Sequence, residues 1–161
     1  MKTFLITLDN ITKALNSMPT RLAALSVAFS KERFVQQNWI DSSAEAWRPR
    51  SRKRRGGKRR QSGAVLVDSG RLKRSIRVIS ISKNKIVIGT DVPYAQAHND
   101  GINAIVTVKP QSRRRNGKTY QVRAYSRRMS LPRRRFLGDS KELTKRLENL
   151  IISEIEKAIN K

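Results

Sequence analysis

Residues 102–124 read INAIVTVKPQSRRRNGKTYQVRA, and this stretch decides the fold class. Its flanks, 102–109 and 118–124, are rich in the β-branched and aromatic residues that suit a pleated, half-covered surface. Between them Asn116-Gly117 is the strongest two-residue turn signal in the chain, because both residues tolerate the positive φ of a type I′ hairpin turn. The spacing predicts a hairpin, and strands paired to their ends crowd Arg113, Arg114, Arg115 and Lys118 at its tip.

Working outward, 75–82 and 85–90 have the same Ile- and Val-rich texture with Lys83-Asn84 between them, which predicts a second hairpin. Downstream, Leu143, Leu147, Leu150, Ile151, Ile155, Ala158 and Ile159 fall on one helical stripe, with Lys145, Glu148 and Glu156 off it. Asp139 and Glu142 have capping-box spacing, so a long C-terminal helix is expected from about residue 139, covering one face of the sheet. Upstream, Leu8, Ile11, Leu15 and Met18, then Leu22, Leu25 and Phe29, predict two helices or one kinked at Pro19, the second reaching about residue 38. Trp39 and Trp47 bracket a polar turn and are expected to pack. The expectation is an α+β fold: an antiparallel sheet of about four strands packed against N-terminal helices and a long C-terminal helix, with basic loop and hairpin extensions.

A chain of 161 residues is one domain by size. Its texture divides it into an N-terminal helical segment (1–47), a basic linker expected to be flexible (48–63), a β region with the basic hairpin (64–137) and the C-terminal helix (138–161). Thirty-six Lys and Arg against 12 Asp and Glu leave a formal charge of +24. Of that excess, +20 comes from 48–60 and 109–135, which contain no acid. A nearly neutral scaffold thus carries two cationic appendages, and a surplus of this size calls for an anionic partner.

Several function classes are disfavoured. The absence of cysteine excludes disulfides and thiolate zinc sites, and His98 is the single histidine. No apolar run approaches the roughly 18 residues of a membrane span, and Asp9-Asn10 interrupts the N-terminal apolar stretch too early for a signal peptide. Asp68, Asp91, His98 and Asp100 are the candidate titratable groups, but they lack the spacing of a metal motif. Asp91-Val92-Pro93 reads as a strand end, and Asn99-Asp100-Gly101 as a turn whose side chains bond their own backbone. No phosphate loop or nucleophile elbow is present, so neither catalysis nor a cofactor is expected, and an RNase lacks its His or carboxylate pair. Standard nucleic-acid modules interleave exposed aromatics with cations for stacking. Only Tyr120 and Tyr125 do so in 109–135, which favours phosphate attraction over base reading.

Four blocks in order resemble the phage virion morphogenesis family, the tail-completion or neck proteins of tailed phages. The first runs from Phe34 to Trp47 and Pro49. The second is LVDSGRLKRSI, residues 66–76, with Asp68 and Gly70. The third is IGTDVPYAQAHNDG, residues 88–101, with Tyr94, His98 and Gly101. The fourth is LPRRRFLG, residues 131–138, with Arg135 and Phe136. The linker, RSRKRRGGKRR, is more charged than is usual in that family, so its role is not carried over.

The resemblance implies a structural adaptor without a cofactor, forming a ring with copies of itself, of hexameric symmetry by expectation, at the head–tail junction or top of the tail. It would be made in the host cytoplasm and built into the virion. Its partners would be neighbouring neck, portal-side or tail-terminator proteins, with genomic DNA passing through the lumen and no membrane. On that reading Trp47, Asp68, Gly70, Tyr94, His98, Gly101, Arg135 and Phe136 serve folding and subunit contact, with His98 a turn histidine bonding nearby backbone. The residues expected to meet DNA or an acidic partner are Arg52, Lys53, Arg54 and Arg55 of the linker, with Arg113, Arg114, Arg115, Lys118, Arg127, Arg128, Arg133 and Arg134. The alternative is a free basic nucleic-acid-binding protein, chaperone-like, whose basic stretches are the function and whose fold is a carrier.

Overall fold

The N-terminal apolar spacing becomes one helix, α1 (Lys2–Gln36), in the computed structural model of the chain, which describes residues 2–49, 63–82 and 84–160. Pro19 lies inside this helix, where it withholds one backbone N–H, and does not divide it into two. Gln37 then takes a positive φ of 55° and turns the chain. Its side chain fastens that turn: Nε2 donates to the carbonyls of Phe34 (2.6 Å) and Val65 (3.1 Å), and Oε1 accepts from the Val65 N–H at 2.6 Å.

Short strands β1 (Asn38–Ile40) and β2 (Ala44–Ala46) pair antiparallel after the turn. Trp39 and Trp47 are buried as expected, each edge-on to a ring of α1: Trp39 to Phe29 at 5.8 Å, and Trp47 to Phe34 at 5.3 Å. The helical turn α2 (Arg71–Ser75) follows Gly70, whose φ of 69° reverses the chain. The hairpin β3 (Arg77–Ser82) and β4 (Lys85–Gly89) forms as predicted, closed by the Ser82–Lys85 pair, and lies against α1. A short helix α3 (Ala95–Asp100) leads into β5 (Ile102–Val108), β6 (Gln111–Arg115), β7 (Lys118–Val122) and β8 (Tyr125–Leu131), and the chain ends in α4 (Lys141–Ile159).

The fold is α+β, but its strands form four separate two-stranded pairs and no four-stranded sheet among the described residues. The expected pairing of 102–109 with 118–124 is also corrected. A two-residue turn at Asn116-Gly117 forces Arg115 opposite Lys118, and counting back along both strands places Ile102–Val108 opposite Tyr125–Leu131.

α4 packs on α1, not on a sheet. The helices run antiparallel, with Arg21 ion-paired to Glu154 and Arg146 bonded to Glu32 at 2.9 Å. The cap is Ser140 rather than Asp139: its Oγ accepts from the Leu143 N–H at 3.1 Å and donates to the Ile40 carbonyl at 2.7 Å. Asp41 adds a carboxylate oxygen 2.8 Å from the Lys141 N–H, so the β1–β2 turn holds the start of α4. The stripe of α4 is mostly half-buried, with Ala158 buried. The main core lies elsewhere, in Phe34, Trp47, Leu72, Ile76, Val92, Ala95 and Phe136, where the end of α1 meets α2, α3 and the segment after β8.

Between the helices, burial works to raise the pKa of Glu32, but hydrogen bonds and charge from Arg146 and Arg33 outweigh it and hold the carboxyl below its usual range. A carboxyl whose folded pKa is depressed contributes stability above its unfolded pKa, about 4.3, and that contribution is lost as pH falls through the folded value. The melting temperature should therefore fall between about pH 5 and pH 3, and Glu32→Gln should flatten this slope while lowering stability at neutral pH. Thermal melts across that range check both.

Candidate functional site: a basic two-stranded arm

The sequence 102–131 builds one antiparallel arm from two strand pairs set end to end. β5 pairs with β8 and β6 with β7 in a single register, since Val108 faces Tyr125 and, three residues on, Gln111 faces Val122. Pro110 lacks an N–H to donate, which accounts for the break in the ladder between the two pairs. At the far end Asn116 (φ 50°) and Gly117 (φ 77°) form the turn. Fifteen residues from Ile102 to Asn116 extend the arm about 45 Å at the usual rise of a strand. Its four strands make their principal contacts with one another rather than with the body.

Arg113, Arg114, Arg115 and Lys118 are all exposed at the tip. Arg115 faces Lys118 directly, Arg114 faces Thr119 and Arg113 faces Tyr120, so cations project from both faces of the ribbon. None of the four has an ion pair among the described residues. Tyr120 and Tyr125 are 44% and 40% exposed, on opposite faces of the arm. Arg127 and Arg128 lie exposed on β8, where Arg128 Nε donates to Asn103 Oδ1 across the ribbon at 3.2 Å.

The base of the arm is rigidly tied. Gly101 has a φ of 78°, and a Cβ there would stand 2.9 Å from the Arg133 nitrogen and 3.0 Å from the Leu131 carbonyl oxygen. Gly101→Ala should therefore cost about 2 kcal/mol or more, combining backbone strain with a backbone clash. Urea denaturation measures this directly. Asn99 Oδ1 accepts from the N–H groups of both Phe136 and Leu137, each at 2.9 Å, and Trp47 Nε1 donates to the Arg135 carbonyl at 2.9 Å. The arm thus leaves the body where α3 and the segment before α4 are stitched together.

The other residues singled out in the sequence separate clearly. Phe136 and Trp47 are core, and Arg135 is half-buried with its guanidinium 4.7 Å over the Trp39 ring. Asp68 is exposed and Gly70 supplies a turn. Tyr94 is 43% exposed at the start of α3 and meets His98 edge-on at 6.0 Å. His98 does not bond the backbone through its side chain as expected: its buried Nδ1 has no hydrogen-bond partner among the described residues, while its carbonyl accepts from the Arg134 N–H at 2.8 Å. Burial lowers the His98 pKa and the Arg134 charge lowers it further, keeping the ring neutral at neutral pH. Asn99 and Asp100 end α3 instead of forming a self-bonded turn, and Asn99 bonds backbone 37 residues away.

Arg133 is exposed, but Arg134 is withdrawn from the anion-facing set, because it is 6% exposed and its Nε donates to the Arg48 carbonyl at 3.0 Å. Arg52, Lys53, Arg54 and Arg55 lie outside the described residues.

Sequence reasoning missed Arg33. It is fully buried, with Nε bonded to the Phe29 carbonyl, Nη1 to Asn38 Oδ1 and Nη2 3.0 Å from Glu32. Its signal was weak, since a cation three residues from a helix end ordinarily reads as a surface group near the negative end of the helix dipole.

No group of His, Asp or Glu able to hold a metal is present among the described residues, and no described helix is long and apolar enough to cross a membrane. The profile of the phage virion morphogenesis family matches residues 2–156. No curated protein matches the chain, and no solved structure does.

Proposed function

The chain belongs to the phage virion morphogenesis family, and from that premise we propose that it is a non-enzymatic adaptor that closes into a six-fold ring at the head–tail junction or the top of the tail. In this reading the basic arm reaches either DNA phosphate in the ring lumen or a carboxylate-rich surface of the adjoining ring. The observation that carries the proposal is the arm itself: a ribbon standing off the body, with four cations at its end that make no ion pair among the described residues. Like charges in one turn repel, and neutral residues would fold as well, so the cluster serves a contact outside the subunit.

Self-repulsion of subunits at +24 favours a weakly associated chain in isolation and a closed ring only where counter-charge is supplied. The absolute copy number in purified particles, measured by isotope-standard mass spectrometry, tests the ring. Six copies per particle are expected; absence from the particle, or a copy number typical of a capsid or tail-tube lattice, overturns the proposal. The non-enzymatic reading has its own check. His98→Gln should leave particle yield within about twofold of wild type, because the half-buried ring at that site is structural.

A further inference from the structure

The near and far halves of the arm differ in chemistry. On one face of the β5–β8 half stand Ala104, Val106, Val108, Tyr125 and Met129, with Arg127 as the charge among them, directly opposite Val106. None of these residues is buried. An isolated two-stranded ribbon is marginal in water, and an apolar face gains nothing from phosphate. The anion-facing chemistry therefore belongs to the tip, and the near half is built to be covered by protein.

A surface of matching chemistry exists on the same chain. The outward side of α4 exposes Ile152 (54%) and Ile159 (52%). Glu148 and Glu156 lie on that same side, one two turns on from the other, and both are exposed with no ion pair among the described residues. Carboxylates without partners are unexpected where cations outnumber acids threefold. Two of them flanking an exposed isoleucine complement an apolar ribbon face that carries a single arginine.

We propose that the near half of the arm packs across the outward face of α4 of a second copy of this chain, with Arg127 between Glu148 and Glu156. The contact is head-to-tail, so each copy gives one arm and receives one, which closes a ring or propagates a chain. It leaves the tip beyond the covered half, free to meet the anion. The inference rests on the self-assembly reading above and names the surface that carries it.

The 161-residue chain has no cysteine, so paired substitutions can be read cleanly. Val106→Cys with Ile152→Cys in one chain, treated with a short bis-maleimide, should give a ladder of covalent oligomers, whereas each single variant should stop at dimers. Arg127→Glu should reduce the ladder by about tenfold, as should Glu148→Arg with Glu156→Arg. Combining all three changes should restore it, a rescue that misfolding or nonspecific stickiness would not give. A double-cysteine chain that stops at dimers, or a ladder indifferent to the charge changes, overturns the proposal. A charge-dependent ladder from a chain absent from particles would instead leave the inference standing and remove the virion adaptor reading.

Discussion

Replacing Arg113, Arg114, Arg115 and Lys118 together with Gln should leave the isolated subunit folded, with a stability change within about 0.5 kcal/mol. The four side chains are exposed and make no ion pair among the described residues, so folding loses nothing with them. Any change should be toward greater stability, since mutual repulsion is relieved. The yield of joined particles, or of particles retaining DNA, should nevertheless fall by roughly tenfold or more, which corresponds to only about 1.4 kcal/mol of lost contact free energy at the junction. Plaque assays and electron microscopy of complemented lysates read the outcome. A variant that unfolds makes the cluster structural, and one with normal yield removes the functional claim for the tip. Lys substitutions at the three arginines then identify the anion: phosphate contacts tolerate them, while bidentate carboxylate pairs do not.

The largest stability effect should come from Phe136→Ala. This ring is fully buried, 5.0 Å from Phe34, in the cluster that joins α1, α2 and α3 to the segment before α4. Truncating a buried aromatic to Ala costs about 3–5 kcal/mol through lost transfer energy and the cavity left behind. Against the roughly 5–15 kcal/mol that holds a typical domain together, that is enough to leave the chain partly unfolded at 37 °C. The contrast is Ile105→Ala. Ile105 is 76% exposed on the arm, and its loss should change subunit stability by about 0.5 kcal/mol or less. Chemical denaturation of the two variants side by side separates core from arm. Equal losses would mean that the arm folds against the body.

The elements legible in the sequence are those whose cause is local. Asn116-Gly117 announces its turn because positive φ is a property of those two residues, and the stripe of α4 announces a helix because its period lies within the segment. Partners were harder to read. The stripe of α4 shows that something must cover it but not what, and α1 rather than a sheet does so. Turn length alone determines the register of the arm, yet its second strand, YSRRMSL, carries too much charge to read as a strand. Asn99 bonds backbone 37 residues away, which only tertiary structure brings near, and Arg33 is buried against the habit of its residue type, so local sequence signals neither. The basic tip was visible because charge needs no fold to be counted; the projection of the arm, which makes that charge available, emerged only with the pairing of Ile102 to Leu131.

In the proposed adaptor, copies of this chain form a ring whose basic arms reach an anion at the junction. Locating the chain in a cryo-electron microscopy map of the intact particle tests it most directly. The expected result is a closed ring at the neck or top of the tail, with density for the Asn116-Gly117 tips against DNA in the lumen or against an acidic face of the adjoining ring. A ring whose tips point into open solvent, or a particle that contains no copy of the chain, would contradict it.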